Sequence, residues 1–142
     1  MKFHIPNRQD VEELRAREAG LVLLCVSDSS RVLAMRRFVL ETFGYRVLTA
    51  DGTTAIEILS KQAVHAAILD YRTPGTNGEV IAIQFKITRP AIPILMVAQD
   101  PATVPESITK LVSGLVRADD PPTALLAEIV KIVAHPERAR AA

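Results

Sequence analysis

The chain is poor in the residue types that support several common chemistries, and each shortage excludes a class of protein. It has no tryptophan, and its single cysteine, Cys25, excludes a disulfide framework. Cys25 lies inside an apolar run, which favours a buried and unreactive thiol. The three histidines, His4, His65 and His135, are far apart in the sequence, so the ligand spacing of a zinc site is missing.

The chain also lacks an excess of charge and a long apolar run. Its 17 basic and 16 acidic residues give a net charge of +1, which does not favour nucleic acid or an anionic membrane surface. No apolar run reaches the length of a membrane span, and residues 1–20 lack the apolar core of a signal peptide. We therefore expect a cytoplasmic protein. Three arginines in the first predicted helix, Arg31, Arg36 and Arg37, are interpreted as a solvated helix face.

Short apolar runs alternate with helix-period segments along most of the chain. This alternation is typical of a parallel sheet covered by helices on both faces. Five strands and five helices predict an α/β fold, a flavodoxin-like three-layer αβα sandwich with strand order 2-1-3-4-5. We expect one domain over residues 20–135, with residues 1–19 as an N-terminal arm or extra helix and residues 136–142 as a flexible tail.

Periodicity also predicts which side of each helix faces the sheet. The predicted inward-facing residues of the first helix, over about 30–43, are Val32, Met35, Val39 and Phe43. The predicted inward-facing residues of the third helix, over about 79–89, are Val80, Ile83 and Ile87.

Two aspartates stand at the ends of apolar runs. Asp70 closes the run Ala66–Leu69, and Asp28 follows the first run, Leu21–Val26. In the predicted strand order the carboxyl ends of strands one and three meet at the switch point of the sheet, so both carboxylates are expected at one edge. A turn-rich loop over residues 71–78 follows Asp70. Two acids at this edge predict a cation site that assists phosphoryl transfer.

With these residues the chain resembles the receiver domain of bacterial two-component response regulators, the chemotaxis-type receiver fold. Ile68–Gly78 is similar to the phospho-acceptor loop of that family, and Gly44–Val47 and Ile92–Val97 are similar to its second and fourth strands. The resemblance implies that Asp70 is the phospho-acceptor, whose carboxylate attacks a phosphohistidine. It also implies a signalling protein in a phosphorelay rather than an enzyme, with a sensor histidine kinase or another signalling protein as partner.

The same resemblance implies a magnesium site and reveals what is missing around it. Magnesium would be held by Asp28, Asp70 and the backbone carbonyl of Arg72, all hard oxygen ligands. Ser27 stands where a second acid is usual, so magnesium binding is expected to be weak or absent. Among the cations nearby, Arg72 is expected to be the best placed to approach a phosphoryl group.

Three further positions depart from the family pattern. Ala98 stands where a phosphoryl-binding hydroxyl is usual, Ala118 where a lysine is usual, and Leu115 where an aromatic switch residue is usual. Each missing contact should slow phosphorylation or weaken its effect. Two interpretations remain open, a weak phospho-acceptor at Asp70 and a receiver-like module that works without phosphorylation.

We expect a stand-alone receiver domain, because the last predicted helix ends near the carboxyl terminus of the sequence. It would act through a partner protein or through self-association. The family often pairs through the face of helix four, strand five and helix five, where Leu111, Leu115 and Val116 lie. The alternative is a flavodoxin-like small-molecule-binding or enzymatic domain, although no Gly-x-Gly-x-x-Gly motif follows the first strand.

Overall fold

Five parallel strands form the central sheet of the computed structural model, which describes residues 20–73 and 75–134. The strands are β1 (Val22–Val26), β2 (Arg46–Ala50), β3 (Ala66–Asp70), β4 (Ile94–Ala98) and β5 (Gly114–Arg117). Their order is β2-β1-β3-β4-β5, which confirms the predicted topology. The predicted arm and tail lie outside the described residues, as does position 135 at the end of the predicted domain.

In the described part of the chain, four helices connect the strands and a fifth follows β5. They are α1 (Ser30–Thr42), α2 (Ala55–Lys61), α3 (Gly78–Thr88), α4 (Glu106–Thr109) and α5 (Pro122–Ala134). A short 3-10 turn, Pro101–Thr103, lies between β4 and α4. None of these helices combines the length and the apolarity that crossing a bilayer requires.

The core is divided into two parts by the sheet. β1, β3 and β4 are buried along their whole length, as expected for the inner strands of a parallel sheet. Side chains of α1 and α5 pack on one face with Cys25 and Ile68. Side chains of α2, α3 and α4 pack on the other face with Leu24 and Leu69. The helices therefore cover both faces, which confirms the predicted three layers.

The inward side of α1 differs in part from the prediction. Phe43 packs against the core as predicted, but Met35 is 54% exposed. Arg36 and Leu40 are buried instead, and Leu33 packs at the edge of the core. The spacing of Leu33, Arg36 and Leu40 is also helical, at i, i+3 and i+7. Hydrophobicity alone misplaced the centre of the inward stripe, because a charged residue, Arg36, occupies it.

The inward side of α3 was also predicted wrongly. Val80, Ile83 and Ile87 are exposed, and the buried positions of this helix include Ile81 and Phe85. Apolar residues lie on both sides of α3, so the periodicity allows two rotations of the helix. Tertiary contacts at the start of the helix, described below, determine which rotation occurs.

Candidate functional site

The carboxylate of Asp70 is held by a buried arginine. Asp70 is the last residue of β3, at the carboxyl edge of the sheet. Its Oδ1 lies 2.7 Å from Nη2 of Arg36, and each side chain is only 8% exposed. This separation is typical of a short, charge-assisted hydrogen bond. A positive charge from within the chain therefore balances the charge of the predicted phospho-acceptor.

Arg36 was predicted to belong to a solvated face of the first helix, and that prediction was wrong for this residue. Arg31 and Arg37 are exposed, as predicted, and Arg37 pairs with Glu41 on the surface. Arg36 lies on the side of α1 that faces the sheet, one turn before the buried Leu40. An isolated guanidinium is too costly to bury, so the nearby carboxylate of Asp70 explains why this position tolerates arginine.

Cys25 lies in the same region and shows how apolar its surroundings are. Burial raises the pKa of the Cys25 thiol to about 12. The positive charge of Arg36 acts in the opposite direction, and the negative charge of Asp70 raises the pKa further. At neutral pH the thiol is protonated and unreactive, which is the state predicted from its place in an apolar strand.

Asp28 lies at the same edge of the sheet as Asp70, after the neighbouring strand β1. Both acids are therefore at the carboxyl ends of adjacent strands, as predicted. The Asp28 side chain is exposed and its Oδ1 accepts a hydrogen bond from the backbone N–H of Gly52 at 3.5 Å. Gly75, with a φ of +83°, passes so close that a Cβ there would lie 2.6 Å from Oδ2 of Asp28. The loop after β3 thus folds over the Asp28 carboxylate.

This loop contains a small hairpin that the sequence did not predict. Two-residue strands, Arg72–Thr73 and Thr76–Asn77, pair in an antiparallel manner around the turn. Asn77 then caps α3, since its Oδ1 accepts hydrogen bonds from the backbone N–H groups of Glu79 and Val80. The hairpin leads directly from the acceptor strand into the helix.

Gly78 fixes the start of α3 against the end of β3. Its backbone N–H donates to the carbonyl of Tyr71 at 2.7 Å. A Cβ at this position would collide with the backbone carbonyl oxygens of Asp70 and Tyr71, so only glycine allows this approach. The contact sets the rotation of α3 and explains why Ile81 rather than Val80 faces the core.

The Arg72 side chain contacts Glu79 and Tyr71, and its expected approach to a phosphoryl group stays a prediction. Its Nη2 lies 3.5 Å from Oε2 of Glu79, and its guanidinium stacks over the ring of Tyr71 at 5.2 Å from the ring centre. The hydroxyl of Tyr71 donates to the other oxygen of Glu79 at 3.1 Å. The cation that contacts Asp70 is Arg36 instead. Sequence reasoning missed this residue because nothing in a local pattern links position 36 to position 70.

The positions that depart from the family pattern have structural roles. Ser27 is buried, and its Oγ accepts a hydrogen bond from the backbone N–H of Ser29. Ala98 is buried at the end of β4, where its carbonyl accepts from the backbone N–H of Ala118. Neither Ala98 nor Ala118 has a hydroxyl or an amine to offer to Asp70. Arg36 is therefore the cation that the structure provides for this carboxylate.

The face predicted for self-association offers little exposed apolar surface. Val116 is buried, and Leu111 and Leu115 are partly buried against the core. The large apolar side chains that are exposed in the described residues lie on α1 and α3 and are Met35, Phe38, Val80, Ile83 and Ile87. A homodimer through helix four, strand five and helix five stays a prediction.

The residues present fit a tightly held magnesium ion poorly. Within residues 20–73 and 75–134 no group of three or more His, Cys, Asp or Glu side chains is arranged to hold a metal. One of the two available carboxylates, that of Asp70, is already neutralised by Arg36. A divalent cation would meet this positive charge at short range. Asp28, Asp70 and the backbone carbonyl of Arg72 therefore stay a prediction for a weakly bound ion.

Comparison with solved structures places the fold among receiver domains. The chemotaxis protein CheY4 of Vibrio cholerae is 26% identical, with a TM-score of 0.71 over 79% of this chain and 98% of that chain. A receiver domain from Clostridium thermocellum is 20% identical, with a TM-score of 0.74 over 82% of this chain and 97% of that chain. The resemblance seen in the sequence is thus confirmed at the level of the fold.

A third similar structure shows a related fold with a metal. The response regulator TrrA of Thermotoga maritima, solved in complex with Mg²⁺ and BeF, is 18% identical, with a TM-score of 0.73 over 79% of this chain and 98% of that chain. Neither a protein-family model nor a curated protein matches the sequence.

Proposed function

We propose that this protein is a receiver-type module of phosphorelay signalling that acts through protein partners and accepts phosphate at Asp70 slowly or not at all. The receiver fold and the acid at the end of β3 support the signalling role. The observation that carries the proposal is the buried ion pair between Arg36 and Asp70. A sensor histidine kinase or another signalling protein is the proposed partner.

The ion pair opposes phosphorylation for two reasons. The guanidinium hydrogen bond to Oδ1 at 2.7 Å draws electron density from the whole Asp70 carboxylate, which makes both of its oxygens weaker nucleophiles. Transfer of a phosphoryl group to Asp70 would also change the charge that Arg36 balances in an apolar site, so the buried pair would have to rearrange, which is costly. Ala98 and Ala118 offer no side-chain hydrogen bond to an incoming phosphoryl group.

Intact mass measurement after incubation with acetyl phosphate and magnesium tests this proposal. The wild-type protein should gain little or no phosphoryl mass. A repaired variant, with Ser27→Asp, Ala98→Thr and Ala118→Lys, should gain one phosphoryl group much faster. The repair adds a metal-binding acid, a phosphoryl donor and a charge partner, whose effects should reinforce one another.

Arg36→Met in the repaired background should raise the rate further, because the Asp70 carboxylate then no longer loses electron density to the guanidinium, and the lysine introduced at position 118 supplies a positive charge nearby. Asp70→Asn in each background is the control and should abolish the gain in mass. Rapid and complete phosphorylation of the wild-type protein at Asp70 would contradict the proposal. A repaired variant that folds yet stays unmodified would favour a module that works without phosphorylation.

The alternative of a flavodoxin-like enzymatic or small-molecule-binding domain has less support. The Asp70 carboxylate at the end of β3 is already paired with Arg36, and the backbone of Gly75 lies close to the Asp28 side chain. A chromophore that copurifies with the protein would favour this alternative.

A further inference from the structure

One side of α3 presents an uncharged and mainly apolar stripe to solvent. Its residues are Val80, Ile83, Gln84, Ile87 and Thr88, and we call this set the α3 stripe. Ile87 is 76% exposed, and Val80 and Ile83 are each nearly half exposed. The spacing at i, i+3, i+4, i+7 and i+8 is that of a single helical face. Single exposed apolar side chains are normal on a protein surface, whereas a contiguous row of them indicates a surface that another molecule covers.

The rotation of α3 keeps this stripe outside. Ile81, Ala82 and Phe85 occupy the opposite side of the helix and are buried in the core. The close approach of Gly78 to the end of β3 fixes that rotation. A helix that is apolar on both sides is normally covered on both sides. In the monomer, the α3 stripe is therefore an apolar surface without a cover.

The charged side chains of α3 do not shield the stripe. Glu79 accepts a hydrogen bond from the Tyr71 hydroxyl and lies near the Arg72 guanidinium. Nζ of Lys86 donates to the backbone carbonyl of Ile92 at 2.5 Å. Long cationic side chains often cover apolar surface with their methylene groups. Lys86 instead reaches toward the segment that follows the helix, and the apolar side chains of the stripe stay exposed.

The order of residues along the stripe makes it complementary to a second copy of itself. Val80 and Ile87 are equally far along the chain from the midpoint between Ile83 and Gln84. A two-fold axis at that midpoint pairs two copies of α3 in antiparallel orientation and sets Val80 of each protomer against Ile87 of its partner. The antiparallel orientation also places opposite ends of the two helix dipoles side by side, which is favourable.

Charged residues beside the stripe favour the same orientation. Glu79 and Lys86 are seven positions apart, so they lie on the same flank of α3 and near opposite ends of it. In an antiparallel pair, Glu79 of each protomer lies on the side where its partner carries Lys86, whereas a parallel pair would bring like charges together. The net charge of +1 adds little repulsion between the copies.

We infer that two copies of this protein associate through their α3 stripes as an antiparallel, two-fold symmetric pair. α3 has 11 residues and is therefore about 16 Å long, so the contact is smaller than a standard interface of about 1,600 Å². We expect a weak dimer with a Kd of about 1–100 μM. This surface differs from the face of helix four, strand five and helix five, and the inference does not depend on whether Asp70 accepts phosphate.

Sedimentation velocity of the full-length protein, over concentrations that bracket this Kd, tests the inference. The average mass of the wild-type protein should rise with concentration from that of the monomer toward twice that value. Ile87→Lys places a charge in the α3 stripe and should weaken association by about tenfold or more, because the charge would have to be desolvated. Phe38→Lys is the matched control and should leave association unchanged. Phe38 is 73% exposed, and its helix, α1, packs on the other face of the sheet.

Two cysteine variants test the orientation of the pair. Position 84 lies beside the two-fold axis, so Gln84→Cys should form a disulfide-linked dimer under mild oxidation. Thr88 is also exposed, but its two copies would lie about 13 Å apart along the helix axes, which is beyond the reach of a disulfide. Thr88→Cys should therefore stay monomeric under the same conditions, whereas a parallel pair would cross-link at both positions. The native Cys25 is buried and should not take part.

A wild-type protein that stays monomeric at all these concentrations would overturn the inference. Association that Ile87→Lys leaves intact, or that Phe38→Lys weakens as strongly, would also overturn it, because the interface would then lie on another face. Cross-linking of Thr88→Cys as fast as that of Gln84→Cys would refute the antiparallel orientation. Circular dichroism checks that each variant is folded. If Ile87→Lys is not folded, the two cysteine variants decide between these outcomes.

Discussion

The ion pair between Arg36 and Asp70 predicts a large loss of stability when one partner is removed. In Arg36→Met the side chain keeps most of its apolar length, but Asp70 remains buried without a counter-charge. Both side chains are more than nine-tenths buried in the native protein, so little solvent screens the charge that is left. Arg36→Met isolates the electrostatic contribution, since much of the packing is preserved.

The size of the effect follows from the burial. Removing one member of a buried ion pair typically costs about 3–5 kcal/mol, because the other charge stays desolvated. A domain of this size has a total stability of about 5–15 kcal/mol. We therefore expect Arg36→Met to lose about 3–5 kcal/mol at neutral pH, a large fraction of the free energy of unfolding.

Urea unfolding followed by circular dichroism measures these differences, and two further variants serve as controls. Arg37→Met removes an exposed pair with Glu41 on the same helix and should cost no more than about 1 kcal/mol. The double variant Arg36→Met, Asp70→Leu removes both charges and should be more stable than Arg36→Met alone. A loss below about 1 kcal/mol for Arg36→Met, or strictly additive effects in the double variant, would refute the reasoning.

Three further predictions concern other parts of the fold. Gly75→Ala should lose about 1–2 kcal/mol in urea unfolding, because a side chain at this positive φ is strained and its Cβ would also crowd Asp28; unchanged stability would show that the loop relaxes freely. Hydrogen bonds, first from Thr53 and also from Thr54, hold the pKa of Asp51 below its usual value. The ionised Asp51 carboxylate therefore stabilises the folded protein above the pKa of the unfolded chain, and this stabilisation is lost as the pH falls through the folded-state pKa. Asp51→Asn should therefore be less stable than wild type at neutral pH, and the difference should vanish in strong acid; a difference that does not change with pH would contradict this. The thiol of Cys25, whose pKa burial raises to about 12, should react with a thiol reagent at neutral pH only when the protein unfolds, and fast labelling of the native protein would disprove it.

Much of the architecture was determined by local sequence patterns. Buried strands such as β3 are short apolar runs bounded by turn residues, and their order follows from the handedness of the connections. The places of Asp28 and Asp70 at one edge follow from the same topology, because parallel strands end together. Cys25 was predicted to be buried for the equally local reason that its neighbours in the strand are apolar.

Only the tertiary structure decided how the helices are rotated and which cation meets Asp70. α3 has apolar residues on two sides, and the backbone contact of Gly78 with Tyr71 selects one of them. The local sequence pattern predicts that Arg36 is exposed. Its burial depends on the carboxylate of Asp70, which lies 34 positions later in the chain (from 36 to 70). A charge is stable in a core only when its partner is there, and that condition is met through folding rather than through any local sequence pattern.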